Sequence, residues 1–560
     1  MREYRIDSTN KTVTFEFDYD EEIISQIKAC SYDSRWNPEL KHWIVPVNSF
    51  TKSKILYLIS SNSFVPARAV VEKGVSFSYE IEEERYSKLE ALCKLQDFTY
   101  SPRKYQLEAL SFAVEKKSLI NGDDVGLGKT FESIMYTEVI FAFPCLVVVP
   151  SSVKMQWAQV WKQITKGRRS ISVIESKETK KHKNNWDADV VIINYDIIGK
   201  KQGTGATVKF QELVKTKWKM GIFDEAHFLK EKKSQRAKAA KMITKRDMII
   251  QLLTGTATMS RPVELWNLLI LAKKDHLIAK DWMQFVTRYC GGYKGKFGWV
   301  TSGATNMLEL NQKLRETCYL RREKRDVLSE LPDVETVILR TPITNSRDIQ
   351  RALTDFIKYI RETKGEEAAD SAMEAEHLVA LGTLRMLSID GKLKAIEQFL
   401  KDWAVGGKKL IVFGIHSDQL KYLAEKFKSP LIAGGVSSAQ KQIIKNNWIA
   451  SDDTFLFGNI ASMGTGVDGL QDVCSNMLIT ELPWRPSDLE QVIGRLDRSG
   501  QKVSPTVRYM LSDDTIDSQM WEMLEEKEAV VGAVNKGVDI LKTDSGMKSV
   551  MKKILKKSKK

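Results

Sequence analysis

The run Asp123-Asp124-Val125-Gly126-Leu127-Gly128-Lys129-Thr130 constrains the fold more than any other stretch of the chain. It follows Leu119-Ile120, which reads as the end of a buried strand, and it passes into Phe131-Glu132-Ser133-Ile134, which reads as helix. Strand, glycine loop and helix in that order make a phosphate cradle. Loop N–H groups close on phosphate oxygens at a helix N-terminus, Lys129 reaches the β- and γ-phosphates, and the Thr130 hydroxyl can ligate Mg²⁺. Gly126 and Gly128 let the backbone come close. Asp123 stands where the strict pattern has its first glycine.

Such a loop belongs on a parallel sheet. Cys145-Leu146-Val147-Val148-Val149 and Val190-Val191-Ile192-Ile193-Asn194 are continuous apolar runs of strand length, rich in β-branched residues. They suit strands buried on both faces. Met220-Gly221-Ile222-Phe223 is another short strand, and it ends in Asp224-Glu225-Ala226-His227. Carboxylates at the C-terminal end of a strand face the ligand crevice of an open α/β sheet. Asp224 is expected to hold Mg²⁺, partly through water, and Glu225 to orient the attacking water. Ile249-Ile250-Gln251-Leu252-Leu253 adds a strand and runs into Thr254-Gly255-Thr256-Ala257-Thr258, hydroxyls placed to relay the state of a nucleotide.

The pattern restarts after about residue 390. Lys409–Phe413, Thr454–Phe457, Met477–Thr480 and Val507–Leu511 are strand candidates, and Ser417–Lys428 has Leu420, Leu423, Ala424 and Phe427 on one helical face. This half has no second phosphate loop, so it reads as a partner lobe. In Gln491-Val492-Ile493-Gly494-Arg495-Leu496-Asp497-Arg498 the two arginines lie three apart; on a helix they share a face and can reach a γ-phosphate held by the first lobe.

Taken together, Asp124–Thr130, Asp224–His227, Leu253–Thr258, Arg261-Pro262-Val263-Glu264-Leu265-Trp266 and Gln491–Gln501 resemble, in order and spacing, the superfamily-two helicase-like ATPases of the Swi/Snf group, over residues 100–530. The resemblance implies an α/β fold of two tandem RecA-like parallel-sheet lobes with helical insertions. It implies ATP and Mg²⁺ as cofactors, adenine recognition by Tyr105-Gln106 beside Arg103, and Gln491, Arg495 and Arg498 approaching the nucleotide from the second lobe. Ser151, Ser152, Lys154, Asn194 and Thr465 are the implied DNA-backbone contacts, and Gly464-Thr465-Gly466-Val467 would couple DNA to nucleotide. Two departures stand out. Asp468-Gly469-Leu470 follows Val467 where the family usually has Gly-Leu-Asn-Leu, and Leu496-Asp497 replaces a more basic pair.

Phe297-Gly298-Trp299, Arg321–Leu328 and Leu331-Pro332 are similar to the annealing-helicase branch of the group, which remodels replication forks. That branch carries a small substrate-recognition module, the HARP domain. Phe15–Ser49 resembles it through Tyr32-Asp33, Trp36 and Lys41-His42-Trp43-Ile44-Val45-Pro46. The domain organisation that follows is a small α+β recognition module over 1–96 and a first lobe over 97–335 with a helical insertion near 275–335. A helical protrusion and second lobe occupy 336–535, and a basic tail runs over 536–560.

The net charge of +14 suits a polyanionic partner. Half of it sits between Lys536 and Lys560, where nine lysines face two aspartates. No apolar run approaches membrane-spanning length and no apolar signal core opens the chain, so a cytoplasmic or nucleoid-associated monomer is expected. Its compactness would suit a bacterial or viral source. Six scattered cysteines fit a reduced compartment without a zinc site. The function expected is a DNA-dependent ATPase that translocates on duplex or forked DNA and anneals or remodels branched structures, with replication or repair proteins as partners. Strand separation, protein displacement, an RNA-directed motor, or a nucleotide-gated clamp without hydrolysis are the competing readings.

Overall fold

Val13, Phe15 and Val45 are buried while their strand neighbours are at least partly exposed, the period-two signature of a sheet covered on one face. In the computed structural model these residues open the chain as a small sheet. It comprises β1 (Glu3–Asp7), β2 (Thr12–Glu16), β3 (Arg35–Asn37), β4 (His42–Pro46) and β5 (Val65–Pro66), in the order β3-β4-β2-β1-β5. All pairs are antiparallel except β1 with β5. Helix Glu21–Cys30 covers it with Ile23, Ile27 and Cys30, one stripe at helical spacing, and the Asp20 carboxylate caps it by accepting from the N–H groups of Glu22 and Ile23. The structure describes residues 3–536 except 8–11, 32, 39–40, 48–50, 52–53, 56–57, 60–61, 63–64, 67–78, 80, 180–182, 203–204, 245–246, 256–260, 296–297, 302, 329, 353–364, 464–466 and 514. Tyr32, Thr256–Thr258, Phe297, Thr465 and the basic tail beyond residue 536 therefore lie outside the described residues.

The apolar runs of the first half become parallel strands, since only a sheet sandwiched between helices can bury both faces of a strand. In chain order they are β6 (Leu119–Asn121), β7 (Cys145–Val149), β8 (Ile171–Val173) and β9 (Val190–Asn194). After the hairpin β10 (Gly199–Gln202) and β11 (Gly205–Val208) come β12 (Met220–Asp224) and β13 (Ile249–Leu253). A second hairpin, β14 (Tyr293–Gly295) with β15 (Gly298–Val300), precedes β16 (Tyr319–Leu320). The sheet order is β16-β6-β13-β12-β7-β9-β8, every pair parallel. The stretch read as a helical insertion does contain helices Trp282–Tyr289 and Met307–Thr317, but it ends by returning β16 to the sheet beside β6.

The second lobe repeats the plan. Its strands are β17 (Glu335–Arg340), β18 (Leu410–Gly414), β19 (Leu431–Ile432), β20 (Phe455–Asn459), β21 (Asn476–Ile479) and β22 (Thr506–Leu511). They lie in the order β17-β22-β21-β18-β20-β19, again all parallel. Helix Gly365–Val405 leads into it; Ile389, Ile396 and Leu400 on its later half pack with Leu410 and Val412 of β18. Helix Ile516–Lys536 closes the lobe and packs against helix Met307–Thr317 of the first. No helix among the described residues is long and apolar enough to cross a membrane. All six cysteines are free and buried.

Candidate active site

β6 ends at Asn121 and helix Lys129–Val139 begins immediately after Gly128, so the loop between them delivers the chain to a helix N-terminus at the C-terminal edge of the sheet. Gly126 (φ +97°) and Gly128 (φ +90°) both occupy the left-handed region that side chains resist. The space is also filled: a Cβ on Gly128 would lie 2.8 Å from Gln106 Nε2 and one on Gly126 3.4 Å from Arg498 Cβ. Lys129 Nζ is folded into the loop, donating to the carbonyls of Asp123 (2.6 Å) and Asp124 (3.1 Å). Burial draws its pKa down even though Glu225, Asp123, Asp124 and Asp224 all favour the charge. Thr130 follows, half-buried, in the first helical turn.

The acidic pair sits where the register of β12 puts it, with Asp224 opposite Leu253 of β13. The Trp157 indole donates to Asp224 Oδ2 (2.8 Å), and burial, with the neighbouring Glu225 charge, pushes the Asp224 carboxyl up to about 6. Glu225 adopts φ +50°, a conformation costly for a residue with a side chain, which turns its carboxylate across the crevice. Its Oε2 lies 3.2 Å from His227 Nδ1, and its Oε1 accepts from Gln491 Nε2 of the second lobe at 3.2 Å. Burial would raise its pKa, but His227, Lys129 and Arg495 outweigh that and hold it below the ordinary carboxylate range. The two adjacent carboxyls are thus driven in opposite directions. The Thr130 hydroxyl and the Asp224 carboxylate are hard oxygen donors that fit Mg²⁺. A cation would also compensate the charge that burial disfavours on Asp224. Among the described residues no group of three or more His, Cys, Asp or Glu could hold a metal ion.

From the other side come Gln491, Arg495 and Arg498. The shared helical face expected for the arginines is corrected: helix Pro486–Ile493 stops at Gly494, and both arginines lie on the turns beyond it. They converge nonetheless, because Arg495 Nη1 (2.6 Å) and Arg498 Nη1 both bond to Asp468 Oδ1. Two further bonds tie the lobes together here. Lys324 Nζ pairs with Asp497 Oδ2 (2.5 Å), and Arg103 Nη2 donates to Ser499 Oγ (2.8 Å).

Sequence reasoning missed the inner scaffold of the loop. Directly after β16, the buried Arg322 guanidinium pairs with Asp123 and with Glu132 (2.9 Å) and donates to the Tyr105 carbonyl. Arg321 pairs with Asp124 (2.6 Å) and donates to the carbonyls of Gly122 (2.7 Å) and Gly255 (3.1 Å). Asp123, which takes a glycine's place in the pattern, is therefore an anchor. A double arginine at the end of a short apolar run, with two aspartates in the loop to receive it, was the available signal.

Of the expected adenine readers, the Tyr105 hydroxyl (3.0 Å) and Gln106 Nε2 (3.3 Å) both donate to the Leu127 carbonyl, while Gln106 Oε1 accepts from the Arg103 N–H (3.0 Å). They hold the far side of the phosphate loop. Of the expected DNA contacts, Ser151 is exposed and Ser152 partly so at the end of β7. Lys154 and Asn194 require correction. Lys154 is turned inward, its ammonium donating to the Ile174 carbonyl (3.0 Å) and Glu175 (2.8 Å), and Asn194 is buried with its amide on Asp196 (3.2 Å). An ammonium so occupied is not offered to a phosphate.

Two family descriptions match the chain: SNF2-related domain over residues 72–388 and helicase conserved C-terminal domain over 391–500. Among curated proteins, the Caenorhabditis elegans SWI/SNF-related matrix-associated actin-dependent regulator of chromatin subfamily A-like protein 1 homolog is 28% identical over 460 residues, 79% of this chain and 63% of that one. The Xenopus tropicalis protein of the same description is 28% identical over 76% of this chain and 44% of its own length. The human DNA annealing helicase and endonuclease ZRANB3 is 27% identical over 77% of this chain and 40% of its own. The chain thus spans only part of the length of these relatives. A solved structure, the Sulfolobus solfataricus SWI2/SNF2 ATPase core in complex with dsDNA, aligns with a TM-score of 0.37 at 18% identity, covering 80% of this chain and 98% of that one.

Proposed function

The chain belongs to the SNF2-related domain family of helicase-like ATPases, and we propose that it hydrolyses ATP in response to DNA and converts the cycle into movement along a duplex or forked substrate. The observation that carries this reading is the meeting of the lobes at the chemistry: Gln491 of the second lobe hydrogen-bonds Glu225 of the first, and Arg498 lies against Gly126.

In this reading the loop N–H groups and Lys129 take the β- and γ-phosphates, and Tyr105 and Gln106 keep the loop in place behind them. Thr130 and Asp224 would hold Mg²⁺, which supplies charge neutralisation between the phosphates when bound. Glu225, kept ionised, orients the attacking water. Arg495 and Arg498 stabilise charge on the phosphoryl group as the lobes close, a contribution on the order of 10³-fold or more in turnover for an arginine supplied this way. Closure and reopening alter the grip of each lobe on the DNA backbone, and successive grips amount to translocation. Ser151, Ser152 and Thr465 remain the proposed backbone contacts.

The N-terminal module is proposed to recognise substrate. Trp36 is 46% exposed and packs 5.9 Å from Trp43, over whose ring Lys28 lies at 5.6 Å. Aromatic rings beside a cation suit unpaired bases of a branched DNA, which supports an annealing or fork-remodelling role. The decisive experiment is steady-state ATPase activity of the full chain and of Lys129→Ala with no nucleic acid, duplex DNA, forked DNA or RNA. DNA stimulation of wild type, strongest with forks, and background turnover in the variant are expected. Wild-type turnover in Lys129→Ala would overturn the phosphate-site reading, and no stimulation by any DNA would end the proposal in favour of a clamp or another motor.

A further inference from the structure

Asp468 opens one of the two departures from the family pattern, and its carboxylate gathers side chains from both lobes. Oδ1 accepts from Arg495 Nη1 (2.6 Å) and from Arg498 Nη1. Oδ2 accepts from Gln156 Nε2 (3.0 Å), which stands on helix Lys154–Ile164 of the first lobe, one residue before the tryptophan that holds Asp224. Arg495 Nη1 also donates to the Val467 carbonyl (3.1 Å). Two guanidiniums focused on one anionic oxygen, beside a phosphate loop, form the arrangement that recognises a phosphoryl group. Here the oxygen belongs to the protein. Burial raises the pKa of this carboxyl, but Arg498 and Arg495 more than offset it and hold it below the ordinary carboxylate range.

We propose that Asp468 is a positioning residue that stands in for the γ-phosphate: it keeps Arg495 and Arg498 converged in the cleft and surrenders them to the phosphoryl oxygens when ATP arrives. The inference rests on the role proposed above for those two arginines. Its consequence is competition. An ionised carboxylate and a terminal phosphoryl group need the same N–H donors, so Asp468 weakens binding of the triphosphate while sparing the diphosphate, which lacks the group it imitates. Exchange also strains or breaks the hydrogen bond from Gln156, so arrival of the third phosphate is felt as a loosened tie between the lobes. Discrimination between ATP and ADP would then reside partly in a side chain that touches neither when the exchange is complete.

The test compares wild type with Asp468→Asn in the full chain, measuring the KM for ATP, the affinity for MgADP and the hydrolysis rate without DNA. Loss of the charge should lower the KM for ATP on the order of tenfold, the equivalent of one charge-assisted hydrogen bond no longer opposing binding. DNA-independent hydrolysis should rise and MgADP affinity stay within about twofold. In an Arg498→Ala background the same substitution should lower the KM markedly less, because only the Arg495 pair is left to release, a coupling that a purely structural carboxylate would not produce. A KM that is unchanged or raised, or an equal change in ADP affinity, overturns the inference. Retention of full turnover by Arg498→Ala alone would instead overturn the reading of the arginines on which it rests. Should Asp468→Asn lose its cooperative melt, Gln156→Ala decides the matter: it removes only the cross-lobe donor, and a smaller fall in the KM for ATP is expected, with no fall counting against the proposal.

Discussion

The two lobes start a helix at the same place in the same kind of sheet and treat the helix end in opposite ways. In the first, β6 leads through the glycine loop to helix Lys129–Val139, and its neighbour β13 runs on into Thr254-Gly255. In the second, β18 leads through Ile415-His416 to helix Ser417–Lys426, and its neighbour β21 runs on into Thr480-Glu481. Thr254 N–H donates to the Asn121 carbonyl (3.0 Å) and Thr480 N–H to the Phe413 carbonyl (2.9 Å), so Gly255 and Glu481 are equivalent positions. Glu481 fills its helix end from within, accepting from the N–H groups of Ile415 (2.8 Å) and His416 (3.0 Å) and meeting His416 Nδ1 at 2.5 Å. Gly255 contributes nothing of the kind, and a Cβ there would lie 2.9 Å from Val125 of the phosphate loop and 3.9 Å from Lys129 Nζ. A helix N-terminus attracts an anion in either case. One lobe supplies its own; the other has a glycine where that carboxylate stands.

The strongest way to break this comparison is to give the first lobe what the second has. Gly255→Glu should place a carboxylate against Lys129 and reduce hydrolysis to background with ATP affinity lost, while the fold persists; calorimetric titration with ATP and a melting curve check both halves of the statement. Next in size, Arg498→Ala should leave ATP affinity near wild type but cut turnover on the order of 10³-fold, read from single-turnover hydrolysis. Undiminished turnover would mean that the second lobe does not complete the site. Arg322→Ala tests the scaffold of the open site: stranding buried Asp123 and Glu132 should cost about 3–5 kcal/mol in urea unfolding of the first lobe. The smallest effect is expected from Glu481→Gln. Burial works against this carboxylate, but His416 and the two backbone N–H groups hold its pKa below the ordinary value. Its contribution is therefore complete at neutral pH and is lost as pH falls through the folded-state value. Replacement should remove about 1.5–3 kcal/mol at pH 7 and flatten the acid limb of the stability profile, with turnover little changed. A collapse of turnover instead would show that the closed helix end takes part in chemistry.

The parts legible in the sequence are those whose chemistry is local. Consecutive β-branched residues such as Val147-Val148-Val149 report burial on both strand faces, and Gly126 and Gly128 report backbone angles, with no need of distant partners. Asp224 and Glu225 were readable because a strand end fixes where they project. What failed needed knowledge of neighbours. Lys154 turns inward because the Ile174 carbonyl and Glu175, twenty residues on, are there to receive it. β17 has only three consecutive apolar residues, Val337-Ile338-Leu339, and none of its residues is fully buried at the sheet edge, so it lacks the signature that betrays the central strands. Arg495 and Arg498 were placed on a helix that Gly494 ends, yet their convergence survives because Asp468 imposes it.

The salt bridge between Arg322 and Asp123 closes across 199 residues. On a ribosome, therefore, the phosphate loop is made long before the guanidinium that fixes it. Until β16 emerges and joins the sheet, the buried Asp123 has no guanidinium to receive it. Completion of this anchor waits on the last strand of the first lobe.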